Sequence, residues 1–140
     1  MKWSVKIPLE PRGMGRPRLS TRGGHARAYT AKKDREWMNA AIAVLKAHWR
    51  RPPLEGPVKV RIISMKSRPL RLQRRKDPDG AIWACCKPDA DNISKIVLDS
   101  ATYAGIWLDD IQVCDLQIRT LYAPKGEPGS IVLEIEAIRE

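Results

Sequence analysis

Hydrophobic and polar residues alternate at the start of the chain. Trp3, Val5, Ile7 and Leu9 stand on one side of Ser4, Lys6 and Pro8. A period of two predicts a half-buried strand over 3–9, and Pro8 marks an edge or the strand's end. After Thr30 the period lengthens. In AKKDREWMNAAIAVLKAHW, the residues Trp37, Ala41, Val44, Leu45 and His48 form one helical stripe. The stripe predicts a helix near 31–50 with Thr30 as its N-cap, ended by RRPPLEGP. On that stripe His48 reads as a packed, partly buried residue and not as a ligand. Alternation returns in VKVRIISM, 58–65, a second strand. Strand, helix and strand in succession imply a right-handed parallel crossover.

A second helix is expected over 92–104, with Ile93, Ile96, Val97, Ala101 and Ala104 on its apolar face and Gly105 as its stop. LDDIQ reads as a turn. Cys114, Leu116, Ile118, Thr120 and Tyr122 then alternate with Asp115, Gln117 and Arg119. After the turn APKGEPG, Ile131, Leu133 and Ile135 alternate with Glu134 and Glu136. These are a third and a fourth strand, read as a hairpin. The expected architecture is α+β: a single domain over 1–140, with a mixed four-stranded sheet in β-α-β-α-β-β order and helices packed on the sheet. Two stretches, 10–29 and 66–88, have no period and are expected as loops.

Composition narrows the class. A chain of 140 residues with 43% hydrophobic content fits one globular core. No apolar run approaches the ~18 residues that span a bilayer, and the N-terminus lacks a signal-peptide apolar block. The expected location is the cytoplasm, with no membrane partner. Cys85, Cys86 and Cys114 are an odd set without paired spacing, so ordinary thiols are expected. His25 and His48 are too scattered to complete a zinc site.

Charge changes the picture more. Residues 1–80 carry 21 Lys/Arg against 6 Asp/Glu, whereas residues 81–140 carry 5 against 10. A basic first half points to a polyanion, with nucleic acid foremost, and an acidic second half to a separate site. The first loop holds Arg12, Arg16, Arg18, Arg22 and Arg27 among glycines. Guanidinium forks match phosphate oxygens, and glycine lets backbone come close to them. Lys32 and Lys33 extend the basic set. The second loop, with Lys66, Arg68, Arg71, Arg74, Arg75 and Lys76, reads either as another phosphate contact or as a segment ordered only by a partner.

Against this background KPDADN, 87–92, sets Asp89 and Asp91 one residue apart. Capping the second helix, by Asp91 or Asn92, needs one acceptor and leaves the second aspartate unexplained. Two adjacent carboxylates repel unless a cation joins them, and hard oxygen donors suit Mg²⁺ or Mn²⁺. Asp91, Lys95 and Asp99 are four apart and share a helix face, where Lys95 stands ready for a phosphate. Asp109 and Asp110 follow the helix. A return from Gly105 to the acidic pair is reachable within one chain but nearly taut, at ~3.3 Å per residue against ~1.5 Å of helix rise. A neighbouring subunit is the other source.

The block KPDADNISKIVLDSATYAGIWLDDIQV, 87–113, resembles the RusA-like Holliday junction resolvases. GRPR and AYTAKK, at 15–18 and 28–33, are similar to that family's N-terminal segment. The resemblance implies catalytic Asp89, Asp91 and Asp110, catalytic Lys95, supporting Asp99 and Asp109, a Mg²⁺ ion bound by the three aspartates (Mn²⁺ as substitute), and no small-molecule cofactor. It implies a homodimer that makes paired nicks in branched DNA, in recombination and repair, and a phage connection. Ser100 departs from the alanine frequent after that aspartate, and the loop 66–86 is long. Two other readings stay open: a non-catalytic nucleic-acid-binding protein, and a D-x-D transferase, which the basic half disfavours.

Overall fold

In the computed structural model, residues 1–15, 18–21, 23–24 and 27–139 are described, the backbone alone at 18 and 27–29. Seven strands and two helices follow in the order β1 (Lys2–Ile7), β2 (Arg18–Ser20), β3 (Arg27–Tyr29), α1 (Lys32–His48), β4 (Val58–Lys66), β5 (Ile82–Trp83), α2 (Ala90–Tyr103), β6 (Val113–Tyr122) and β7 (Ser130–Ala137). The α+β class and both helices agree with the sequence. The sheet does not: it has five strands in the order β1-β7-β4-β6-β5, and β2 and β3 form a separate antiparallel ribbon.

One expected pairing is corrected. β6 and β7 are not a hairpin, because β4 lies between them, parallel to β6 and antiparallel to β7. β1 pairs antiparallel with β7, and β7 antiparallel with β4, so β1 and β4 run parallel with one strand between them, as the strand–helix–strand crossover requires. The adjacent parallel pair is β4 and β6, joined through β5 and α2. The physical reason is burial. β4 buries Val58, Val60, Ile62 and Ser64 and keeps its alternate residues half covered. A strand with little free surface on either face belongs at the sheet's centre, and alternation alone does not name its neighbours.

The core lies between the sheet and the helices. Ile7, Val58, Val60, Ile62, Leu133 and Ile135 meet Ala41 and Leu45 of α1 and Ile93, Ile96, Val97 and Ala101 of α2. Trp49, just past α1, meets Trp3 edge to face with ring centroids 5.0 Å apart. Helix α1 is capped at Ala31, not Thr30, and no side chain bonds its first amides. Its buried stripe is Asp34, Met38, Ala41 and Leu45, one residue round from the expected Trp37 and Val44, which are half-buried. His48, expected to be packed, is exposed; its Nδ1 lies 2.8 Å from the Val44 carbonyl.

The segment 66–88 is structured. It contains a 3₁₀ turn at Leu70–Leu72 and the short strand β5, which pairs Ile82 with Tyr122 and Trp83 with Leu121. Arg68 organises it. This residue is 6% exposed and donates from Nε to the Ala123 carbonyl (2.9 Å), from Nη1 to that of Leu72 (3.0 Å) and from Nη2 to that of Gly80. Arg68 is therefore removed from the expected DNA-contacting set: its charge is spent on three loop carbonyls. No helix among the described residues is long and apolar enough to cross a membrane.

Candidate active site

Helix α2 sets out the acidic residues. Its N-cap is Asp89, one residue before the first helical residue and earlier than the expected cap at Asp91 or Asn92. Asp89 Oδ1 accepts the Asn92 amide hydrogen at 2.9 Å, so one of its oxygens is used in capping. Asp91 stands in the first turn, where the helix dipole favours an anion. Its Oδ2 is 3.6 Å from Lys95 Nζ, with both side chains mostly in solvent. Such an exposed pair contributes little to stability. Asp91 and Lys95 are thus free to exchange partners when a cation or a phosphate arrives. One turn further comes the half-buried Asp99. Asp89, Asp91, Asn92, Lys95 and Asp99 line one cleft with Met14, Gly15 and Thr30.

The chain leaves α2 through Ala104 and then Gly105, whose φ of 81° favours glycine. Trp107 is buried, and its indole nitrogen donates to Thr102 Oγ1 at 2.8 Å. LDDIQ, expected as a plain turn, forms a short 3₁₀ helix over Asp110–Gln112. Asp109 caps it by accepting the Ile111 amide hydrogen at 3.0 Å, while Gln112 Oε1 accepts the Asp109 amide at 3.1 Å. Asp109 is thereby given to local structure, and Asp110 opens the 3₁₀ helix.

Charge links Asp110 to Asp99. The Asp99 carboxyl is pushed above the ordinary carboxylate range, first by burial and then by the negative charge of Asp110. Asp110 is raised as well, by burial, by a hydrogen bond with Asp109 and by the Asp109 charge. Asp110 is thus near enough for its charge to act on Asp99, while Asp91 stands two turns before Asp99 on the helix, about 12 Å at ~1.5 Å per residue. Among the described residues, no three His, Cys, Asp or Glu side chains form a ready-made metal cage. Asp89 and Asp91 stand at the start of α2 and Asp99 two turns on, where the charge of Asp110 reaches it, with Lys95 between.

Carboxylate oxygens are the donors that a hard divalent ion takes. Mg²⁺ keeps several waters and usually takes one or two carboxylates plus substrate phosphate oxygens, which does not require a full protein cage. The raised Asp99 and Asp110 carry a stability consequence. Their charged forms are disfavoured in the fold, so the folded state is penalised above their raised values and relieved as pH falls through them. Asp110→Asn is therefore expected to raise the melting temperature at pH 7. That gain should vanish in acid, where both states are protonated; thermal unfolding between pH 3 and pH 7 checks the sign.

The expected DNA-contacting residues divide unevenly. Arg16 and Arg22 lie outside the described residues, as do the side chains of Arg18 and Arg27. Lys32, Lys33, Arg71 and Arg75 are exposed. Arg74 is exposed and bonded to Asp77, with Nε at 3.2 Å from Oδ2. Arg12 is turned inward: its Nε lies 2.6 Å from Oδ1 of the buried Asp34. Lys66 Nζ donates to the Lys87 carbonyl at 3.0 Å, fastening the strand end to the residues before Asp89. Asp34 was not singled out from sequence. Its only signal is an acid at a helix start, a position that usually means nothing more than dipole compensation.

A family model described as Endodeoxyribonuclease RusA matches residues 8–136. A curated Crossover junction endodeoxyribonuclease RusA from Escherichia coli O139:H28 (strain E24377A / ETEC) is 40% identical over 50 residues, 36% of this chain and 40% of that protein. Proteins of the same name from Escherichia coli (strain K12) and Shigella sonnei (strain Ss046) are 45% identical over 38 residues, 27% of this chain and 32% of theirs. The chain thus matches less than half the length of these curated relatives.

Proposed function

Because the chain belongs to the endodeoxyribonuclease RusA family, we propose that it is a Mg²⁺- or Mn²⁺-dependent endonuclease that resolves four-way DNA junctions by paired symmetric nicks, in recombination and repair. The observation that carries the reading is the α2 face: carboxylates at Asp89, Asp91 and Asp99, with the Lys95 ammonium among them, open on one cleft. A structural salt-bridge ladder has no need of two carboxylates at its start.

The chain's own groups have separable tasks. Asp89 keeps Oδ2 for an ion while Oδ1 caps the helix. Asp91 would hold the ion together with Asp89, which would leave Lys95 to offer its charge to the scissile phosphate. Asp110, held by the turn that Asp109 caps, completes the acidic set with Asp99 in support. When bound, a divalent ion supplies positive charge to phosphodiester oxygens and acidifies water. Phosphate contacts come from the exposed basic residues Lys32, Lys33, Arg71, Arg74 and Arg75, together with the arginines of 16–27.

A homodimer belongs to the same proposal. β5 covers β6 only at Leu121 and Tyr122, so the outer edge of 113–119 has no strand partner among the described residues. Tyr103, Leu108 and Ile111, at the end of α2 and before β6, are exposed, as is Leu116 on β6. An open edge flanked by apolar side chains suits a second copy of the chain, and a two-fold axis places two equivalent sites on a two-fold junction. Ile111→Glu with Leu116→Glu is expected to give monomers by sedimentation velocity, where the wild type gives dimers.

The test of function is a mobile four-way junction incubated with protein and Mg²⁺ or with chelator. Symmetric nicks that require the metal support the proposal. Tight binding without a cut in Mg²⁺ and Mn²⁺ alike supports a non-catalytic binder instead, a reading favoured by the capping roles of Asp89 and Asp109. In the same assay Arg71→Ala with Arg75→Ala is expected to weaken binding. The double variant should also lower the salt slope by about 2, since each phosphate contact contributes ~0.9. An unchanged slope would move the phosphate contacts elsewhere.

A further inference from the structure

Asp34 is a buried carboxylate that the proposed reaction does not use. It is 3% exposed and sits in the first turn of α1, three residues after the Ala31 cap. An acid there often reaches back to the cap's own amide. Asp34 instead spends both oxygens off the helix: Oδ1 takes Arg12 Nε at 2.6 Å and Oδ2 takes the Gly15 amide at 3.1 Å. The next link runs to the acidic helix. Between those two anchors, the Met14 amide donates to the Asn92 carbonyl at 3.0 Å, inside the first turn of α2.

Both glycines of the Gly13-Met14-Gly15 string fit this arrangement. A Cβ on Gly13 would come within 2.9 Å of Pro88 Cβ and 3.1 Å of Asn92 Cβ. One on Gly15 would stand 3.1 Å from Asp34 Oδ2. Close approach thus demands glycine at 13, while at 15 a Cβ would make the Asp34 carboxylate give way by a few tenths of an ångström. Met14 and Gly15, held in this way, form a wall of the cleft that contains Asp89, Asp91, Lys95 and Asp99. In sequence, the Arg16-Pro17-Arg18 string continues directly from Gly15.

We propose that Asp34 is a positioning residue: with Arg12 it clasps segment 11–15 onto the start of α2 and so fixes one wall of the acidic cleft. Arg12 then acts inward, through Asp34, and is not a phosphate ligand. A surface ion pair would contribute little, but this carboxylate is buried, and without its partners it would be a buried charge with no compensation. The catalytic part of the claim rests on the nuclease reading above; the clasp itself does not.

The test uses the full chain and the variants Asp34→Ala, Arg12→Ala and their double. Amide hydrogen exchange reads the clasp without reference to activity. Protection of the Met14 amide is expected to fall at least tenfold in each variant, while the Ile96 and Val97 amides inside α2 keep theirs. In Mg²⁺, single-turnover cleavage of a saturating four-way junction is expected to fall about tenfold in each single variant and no further in the double, as for two residues acting as one unit. Unchanged Met14 protection in Asp34→Ala would overturn the clasp. Cleavage losses that multiply in the double, with a lower salt slope for Arg12→Ala alone, would overturn the inward role of Arg12. If the wild type does not cut at all, the nuclease reading fails and Met14 protection alone decides the clasp.

Discussion

Asp91→Asn is expected to bind a four-way junction as tightly as the wild type and to cut it on the order of a thousandfold more slowly, a loss of ~4 kcal/mol in the barrier. The Asp91 side chain is mostly in solvent, and its partner among the described residues is Lys95 at 3.6 Å. Losing the charge therefore removes no packing and uncovers no buried group. What it removes is one oxygen donor from the start of α2. Gel-shift affinity and single-turnover rates, measured together, separate the two effects. If binding collapses with cleavage, Asp91 belongs to the structure of the complex and not to its chemistry.

Arg68→Ala is expected to lower folding stability by about 3–5 kcal/mol, among the largest single costs in the molecule, although Arg68 is a charged residue in a loop. Three carbonyls, those of Leu72, Gly80 and Ala123, lose their donor at once. They lie on the 3₁₀ turn, on the approach to β5 and on the exit from β6, so the whole of 66–86 should loosen. Chemical denaturation gives the magnitude, and hydrogen exchange at Ile82 and Trp83 gives the location. Arg68→Lys is not expected to rescue the loss, because an ammonium lacks the planar fork that reaches three acceptors. A variant with wild-type stability but a reduced salt slope for DNA would restore Arg68 to the phosphate-contacting set.

The contrast between Arg68 and Arg71 shows where the sequence stops being legible. Both stand in the same basic string, and nothing local separates them. One is buried and bonds the Ala123 carbonyl at the exit from β6, a contact between residues far apart in the chain. The same limit explains the sheet. Alternation located β1, β4, β6 and β7 almost to the residue, since burial of one face is a local pattern. The insertion of β4 between β6 and β7 depends on which strand has two faces to hide, and the turn APKGEPG reads alike whether it joins neighbours or crosses over one. Helix α2 was legible because Ile93, Ile96, Val97 and Ala101 repeat at helical spacing. Its start was misplaced because Asp89 and Asp91 are equally good caps by composition.

The acidic residues were legible as a group and less so as a geometry. D-x-D followed by a lysine and a second aspartate at four-residue steps names one helix face. How far Asp110 returns along that face depends on the turn after Gly105, where Trp107 is buried and Asp109 caps, and its charge reaches Asp99. That is why Asp99, read as supporting, shares its environment with Asp110, and why Asp109 belongs to the turn.

The most direct measurement is anomalous scattering from crystals of the protein with a four-way junction and Mn²⁺. A manganese ion is expected against Asp89 and Asp91, with Lys95 Nζ facing a phosphate oxygen. A junction complex with no manganese at these carboxylates, and with Asp91 still paired to Lys95, would contradict it.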